Sequence, residues 1–157
     1  MAILISILLF MPMLIMVLFM PDFKDIMHAP SSMTGKFKMM GPSVEGILLL
    51  LIGAIFKTAL SEEILFRGFI AKRLIAVSSY KTGNIIQATL FGAIHVLIFL
   101  SITSNIFFLM IMFIVPALGA YLKTYINEKK AGGSILPGWI MHATSNLQSY
   151  SIIGFLV

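Results

Sequence analysis

The stretch LLLLIGAIFKTALSEEILFRGFIA, Leu48 to Ala71, decides the fold. Extended back to Val44, it is long and apolar enough to cross a hydrocarbon core about 30 Å thick, which takes roughly 20 residues of helix. Yet Lys57, Glu62, Glu63 and Arg67 sit inside it. A charged side chain within a span costs about 2.5–3.5 kcal/mol on insertion scales, so by default it marks function. The stretch predicts a membrane helix from about Val44 to Ala71 with ionisable groups in its interior.

The rest of the chain has the same character. Of its 157 residues, 59% are hydrophobic and only 11% charged, with a mean hydropathy of +1.03. Soluble domains carry about 25% charged residues. A soluble fold this small cannot hide so much apolar surface, so the remainder faces lipid. A first span is expected from about Met1 to Met20, with Pro12 tolerated inside it. It lacks a basic n-region and a small-residue cleavage site, and reads as a retained helix rather than a secretory signal. Pro21 to Ser43 reads as a polar connection with room for a short interfacial helix. After Lys72, Arg73, Lys81 and a Thr82-Gly83 turn, spans are expected over about Asn84 to Leu100, Ile106 to Ile126 and Ser134 to Val157, with a Gly132-Gly133 break before the last. The predicted fold class is all-α, a polytopic transmembrane helical bundle of about five helices.

Several function classes drop out. The net charge is +5, but the eleven Lys and Arg are scattered along the chain, most of them in short loops, rather than gathered in a stripe, so no nucleic-acid partner is expected. There are no cysteines, which excludes disulfides, thiolate metal sites and cysteine nucleophiles. The twelve methionines are dispersed through apolar runs as packing or lipid-facing residues. Lys72, Arg73, Lys81, Lys123, Lys129 and Lys130 on one side outnumber Lys24, Lys36 and Lys38 on the other. The positive-inside rule then puts the 72–83 and 127–133 loops and the N-terminus in the cytoplasm.

The remaining polar residues fall at a common depth. At 1.5 Å per residue, Glu63 lies roughly 12 Å from the end expected to face the cytoplasm, His95 roughly 16 Å and His142 roughly 12 Å. Snorkelling residues would sit near helix ends instead. Spacing adds a second constraint. Glu63 and Arg67 are four apart and can pair on one helical face, whereas Glu62 is turned about 100° away. Phe91 with His95 and His142 with Asn146 repeat the spacing of four. Groups of this kind can activate water: Glu62 with His95 to deprotonate it, His142 and Asn146 to stabilise the oxyanion, a contribution of about 2.7–4 kcal/mol per donor in well-studied enzymes. Glu45 is expected to charge the start of its helix. Lys57 is expected to snorkel or to pair with a carboxylate, and His28 carries no assignment.

These residues resemble a known family. Glu62-Glu63-Ile64-Leu65-Phe66-Arg67 is similar to the EExxxR motif of the CPBP family (CAAX proteases and bacteriocin-processing enzymes, also called the Abi family). Phe91 to His95 is similar to its FxxxH motif and His142 to Asn146 to its HxxxN motif, in the family's order. A single HxxxN arises by chance in many proteins; the three together within hydrophobic spans are specific. The resemblance runs from about Leu48 to Tyr150. It implies an intramembrane endopeptidase in which Glu62 and His95 activate water, His142 and Asn146 line the oxyanion site, and Glu63, Arg67 and Phe91 are structural. The family has been described both as metal-dependent and as a glutamate protease. No HExxH zinc signature is present, and the reading preferred here uses no cofactor. The alternative is zinc held by Glu62, His95 and His142 with one open position.

The resemblance implies residues 1–43 as an N-terminal span with its connection and residues 44–157 as the catalytic membrane core. It also implies a peptide or lipidated-protein substrate. Many relatives carry extra helices, so a second copy or a partner subunit is expected to complete the bundle. Two other classes use the same residues. A non-proteolytic immunity or scaffold protein would keep its activity in Glu62→Gln, and a proton-coupled transporter subunit would show pH-dependent flux without cleavage.

Overall fold

The computed structural model describes residues 2–157, and every described element is helical. Helix α1 (Ala2–Phe19) contains Pro12 without a break. It is followed by two short helices, α2 (Pro21–Met27) and α3 (Met33–Met40), in the stretch read as a polar connection. Helix α4 (Val44–Leu51) opens the second span and is capped by Ser43, whose hydroxyl accepts from the Gly46 N–H. Glu45 is in the first turn, where a negative charge suits the helix dipole.

The second span does not continue as a plain α-helix. Ile52–Leu60 (π1) and Glu63–Ala71 (π2) are π-helical, separated by Ser61 and Glu62, and α5 (Lys72–Val77) completes the run. Hydrogen bonding from i to i+5 widens the helix; it is rare, and frequent at functional sites where it does occur. Helix α6 spans Tyr80–Leu100 and α7 spans Ile106–Lys130. Helix α8 (Leu136–Gln148) leads into a last π-helical turn, π3 (Ser149–Leu156).

Two sequence-based boundaries move. Helix α6 begins at Tyr80 because the Ser79 hydroxyl caps it by accepting from Thr82 N–H, so Lys81, Thr82 and Gly83 form its first turn rather than a loop. Helix α7 extends to Lys130, past the expected end at Ile126, so Asn127 to Lys130 form its last turn rather than a loop.

Among the described residues three helices are long and apolar enough to cross a membrane: Val44–Val77, Tyr80–Leu100 and Ile106–Lys130. The pair Ile3–Phe19 and Pro21–Met27, bent by 112°, makes a fourth if taken as one span. The segment expected as a fifth span is helical but not among them. His142, Thr144, Ser145, Asn146, Gln148 and Ser149 make its centre too polar.

The chain divides into two compact units, Met1–Leu60 with Met141–Val157, and Ser61–Ile140. In the first, α1 buries a single stripe, Ser6, Phe10, Met13 and Val17, and exposes Leu4, Leu8, Ile15 and Leu18. A helix that is apolar all round yet covered on one stripe has lipid as its other neighbour. The core of this unit is Phe37, Leu50, Ala54 and Tyr150, with Leu147 and Phe155 against it. The Phe37 ring lies 5.2 Å from Tyr150 and meets Phe155 edge-on at 5.9 Å.

The second unit is built on α6 packed along α7. Its covered face is the polar one. Helix α6 buries Asn84, Gln87, Ala88, Phe91 and Gly92 and exposes Ile85, Ile86, Leu90, Leu97 and Ile98. That inversion is what a membrane requires, because buried polar groups must find partners inside the protein. The Gln87 amide donates to Asn84 Oδ1 at 2.8 Å and to the Ala120 carbonyl at 3.3 Å, and Asn84 donates to the Tyr121 carbonyl at 3.2 Å. The two helices approach closely at Gly92, where a β-carbon would lie 2.6 Å from the Phe113 carbonyl oxygen.

Candidate active site

The Ser61–Ile140 unit gathers Glu62, Glu63, Arg67, Phe91 and His95. Glu63, at the start of π2, is 0% exposed and Arg67 is 1% exposed. The spacing of four brings Arg67 Nη1 to 3.1 Å from Glu63 Oε1, the ion pair the sequence predicts. A buried pair of this kind repays its desolvation only where geometry and further partners are good. Aromatic rings supply part of that setting. The guanidinium carbon lies 4.3 Å from the Phe91 ring centroid and 5.9 Å from that of Phe66, and the two rings meet edge-to-face at 4.9 Å.

Lys123 was counted from the sequence with the basic residues of the cytoplasmic side; the structure buries it. Its side chain leaves α7 inside the unit, with Nζ 3.6 Å from Glu63 Oε1 and 5.2 Å from the Phe91 centroid. A signal was present: Lys123 is the one charge in the run from Ile106 to Ile126, and Asn127 follows it by four. Asn127 is also buried, and its Oδ1 accepts from the Gly138 N–H at 2.9 Å. A β-carbon at Gly138 would lie 2.6 Å from both Glu63 Oε2 and Asn127 Nδ2, so only glycine lets the start of α8 close over that carboxylate. Glu63 is thus enclosed by π2, α7 and α8.

Glu62 is half-buried beside this cluster and within electrostatic reach of Lys123 and Arg67. His95 stacks on Phe91, ring centroids 4.6 Å apart and tilted by 44°. Its Nδ1 is 2.8 Å from the Phe91 carbonyl oxygen. A carbonyl only accepts, so Nδ1 carries the proton, and in the neutral ring Nε2 keeps the lone pair. That assignment leaves Nε2 as a hydrogen-bond acceptor.

His142 and Asn146 belong to the other unit. His142 is buried on α8, and the Asn146 amide donates to the Ala54 carbonyl at 3.3 Å. His28 is also held there, its Nε2 2.9 Å from the Ile153 carbonyl oxygen. Lys57 is exposed on π1. Among the described residues no three His, Asp or Glu side chains are grouped within reach of one metal ion.

A multi-pass membrane protein with paired carboxylates, an arginine and a histidine inside one helical unit has the make-up of a membrane-embedded hydrolase. The family model of the type II CAAX prenyl endopeptidase Rce1-like proteins matches residues 44–148, a span that includes all three motifs. The chain belongs to that family, and at that level it is an integral membrane endopeptidase of the CAAX type. No match was found among curated proteins or among solved structures.

Proposed function

We propose that the chain hydrolyses a peptide bond near the C-terminus, or in the membrane-proximal part, of a lipid-associated peptide or protein. Glu62 and His95 activate the attacking water. The observation that carries this reading is the division of labour between adjacent carboxylates. Glu63 is enclosed and neutralised by Arg67 and Lys123, while Glu62 is half-buried in the same unit as His95. Glu62 takes one proton from water as the oxygen attacks the scissile carbonyl, and His95 Nε2 accepts the second hydrogen and fixes the water's orientation. Glu62 then returns its proton to the leaving amine. His142 and Asn146, assigned from their motif, donate hydrogen bonds to the oxyanion. No metal takes part in this scheme.

The test is cleavage of quenched-fluorescent peptides, prenylated CAAX and leader-type, by purified protein with and without a chelator. Glu62→Ala should lower kcat by at least about a hundredfold, in line with losses of about 10²–10⁴ for a general base. Chelation should leave wild-type cleavage intact. Cleavage by Glu62→Ala at the wild-type rate overturns the reading, and loss on chelation replaces it with a metal mechanism.

The same proposal opens the site toward the cytoplasm. With Lys123 buried, the basic count between the two sides is five to three and still favours the 72–83 and 127–133 loops inside. Because the chain has no cysteine, single cysteines at Lys81 and Gly132 report directly. Both should resist an impermeant thiol reagent in intact cells and react in inverted vesicles.

A further inference from the structure

Lys123 has no role in the three motifs, yet it is 6% exposed on a membrane helix. An ammonium placed there needs a reason, since a charge inside a membrane span is costly. Its surroundings supply one. It shares Glu63 Oε1 with Arg67, at 3.6 Å against 3.1 Å, and its Nζ faces the Phe91 ring at 5.2 Å. Phe91 in turn carries His95 on its other contact at 4.6 Å. Lys123 therefore ties α7 to the helix bearing Glu62 and to the helix bearing His95.

Charge balance points the same way. Glu62 and Glu63 are consecutive carboxylates, and Arg67 is a single cation. With Lys123 the group becomes two anions and two cations, and both cations act electrostatically on Glu62 and on His95. Without Lys123, two carboxylates would share one cation in an apolar interior, where like charges repel most strongly.

We propose that Lys123 is a positioning residue for the Glu62–His95 pair, holding the two helices in register through Glu63 and Phe91 and supplying the second cation for two adjacent carboxylates. This rests on the reading of Glu62 and His95 as the water-activating pair. Lys123 touches neither substrate nor water in this scheme; its effect passes through Glu63 and Phe91.

The experiment compares wild type, Lys123→Met, Lys123→Arg, Glu62→Ala and the double variant Glu63→Gln/Lys123→Met, all in the same detergent. Each is measured for kcat, KM and thermal unfolding. Lys123→Met should lower kcat about 10- to 100-fold while KM moves less than about threefold, because the substrate's own contacts are intact. Lys123→Arg restores a cation that also stacks on aromatic rings, and should recover at least fivefold of the lost kcat. The double variant removes one charge of each sign. It should regain unfolding temperature relative to Lys123→Met but keep a low kcat, which separates folding from positioning. A folded Lys123→Met or double variant with wild-type kcat overturns the inference. So does a loss confined to KM, or a Lys123→Arg no better than Lys123→Met. Glu62→Ala cleaving at the wild-type rate, or a wild type that cleaves no peptide, takes down the reading of the site and this inference with it.

Discussion

The two units solve the same problem, polar groups buried in a membrane protein, in different ways. In the Met1–Leu60/Met141–Val157 unit, buried hydroxyls and a half-buried amide discharge onto main-chain carbonyls. Ser6 donates to Met141, Ser32 and Thr34 both donate to Met27, and Asn146 donates to Ala54. Each of these bonds is neutral. The Ser61–Ile140 unit buries neutral amides too, Asn84 and Gln87, but it adds charges that depend on one another: Glu63 on Arg67 and Lys123, and both cations on the face of Phe91. Neutral bonds to backbone hold a fold together one at a time. A charge cluster stands or falls as a whole, since each member is costly without the others.

The sharpest way to break this contrast is to remove one charge. Arg67→Met leaves Glu63 and Glu62 with Lys123 as the remaining cation, and should destabilise the protein by about 3–5 kcal/mol, as for other buried pairs deprived of one partner. Thermal unfolding in detergent would read the loss. Removing both partners in Glu63→Gln/Arg67→Met should cost less than Arg67→Met alone, because one carboxylate, Glu62, and one cation, Lys123, then remain in balance. If the single and double variants unfold alike, the charges are not coupled and the contrast between the units fails.

Next in size is the close approach that brings the charges together. In Gly92→Val the new side chain starts 2.6 Å from the Phe113 carbonyl and 3.0 Å from the Ala117 β-carbon. The helices α6 and α7 must separate, at a cost of about 1–3 kcal/mol for overpacking. Because Phe91 and Lys123 sit on these same two helices, cleavage should fall more steeply than stability. Parallel measurement of kcat and unfolding temperature distinguishes that from simple loss of fold.

Much of this was legible before any coordinates. The lipid-facing character follows from composition, and the Glu63–Arg67 pair and the Phe91–His95 contact follow from spacings of four on a helix. Lys123 was misplaced because its position near the end of an apolar run, close to Lys129 and Lys130, is the pattern of an interfacial loop charge. The structure instead turns its side chain inward, to Glu63 and Phe91. The role of Gly138 was hidden for a different reason: it depends on contacts to Glu63 and Asn127, distant in sequence, and a glycine carries no signal of its own. The π-helical stretches on either side of Ser61 and Glu62 have no composition that marks them, since a change from i+4 to i+5 bonding leaves residue types untouched. The segment around His142 was read as a span on length, and its own polar motif is what lowers its hydropathy below that of the others.

The smallest expected effect lies in the neutral unit and tests its side of the contrast. Thr34 is 2% exposed, and its hydroxyl donates to the Met27 carbonyl, which also receives the Ser32 hydroxyl at 2.6 Å. In Thr34→Val the shape is nearly kept and one donor is lost, but the carbonyl remains satisfied by Ser32. The net worth of an ordinary hydrogen bond is about 0.5–1.5 kcal/mol, and the large penalty arises only when a buried partner is left unsatisfied. Thr34→Val should therefore cost no more than about 1 kcal/mol and leave cleavage unchanged, whereas Ser32→Ala/Thr34→Val strips the carbonyl of both donors and should cost more than the two single changes added together. Unfolding curves of the three variants read this directly. Strict additivity would mean that each hydroxyl acts alone, and the redundancy that sets this unit apart from the charge cluster would be lost.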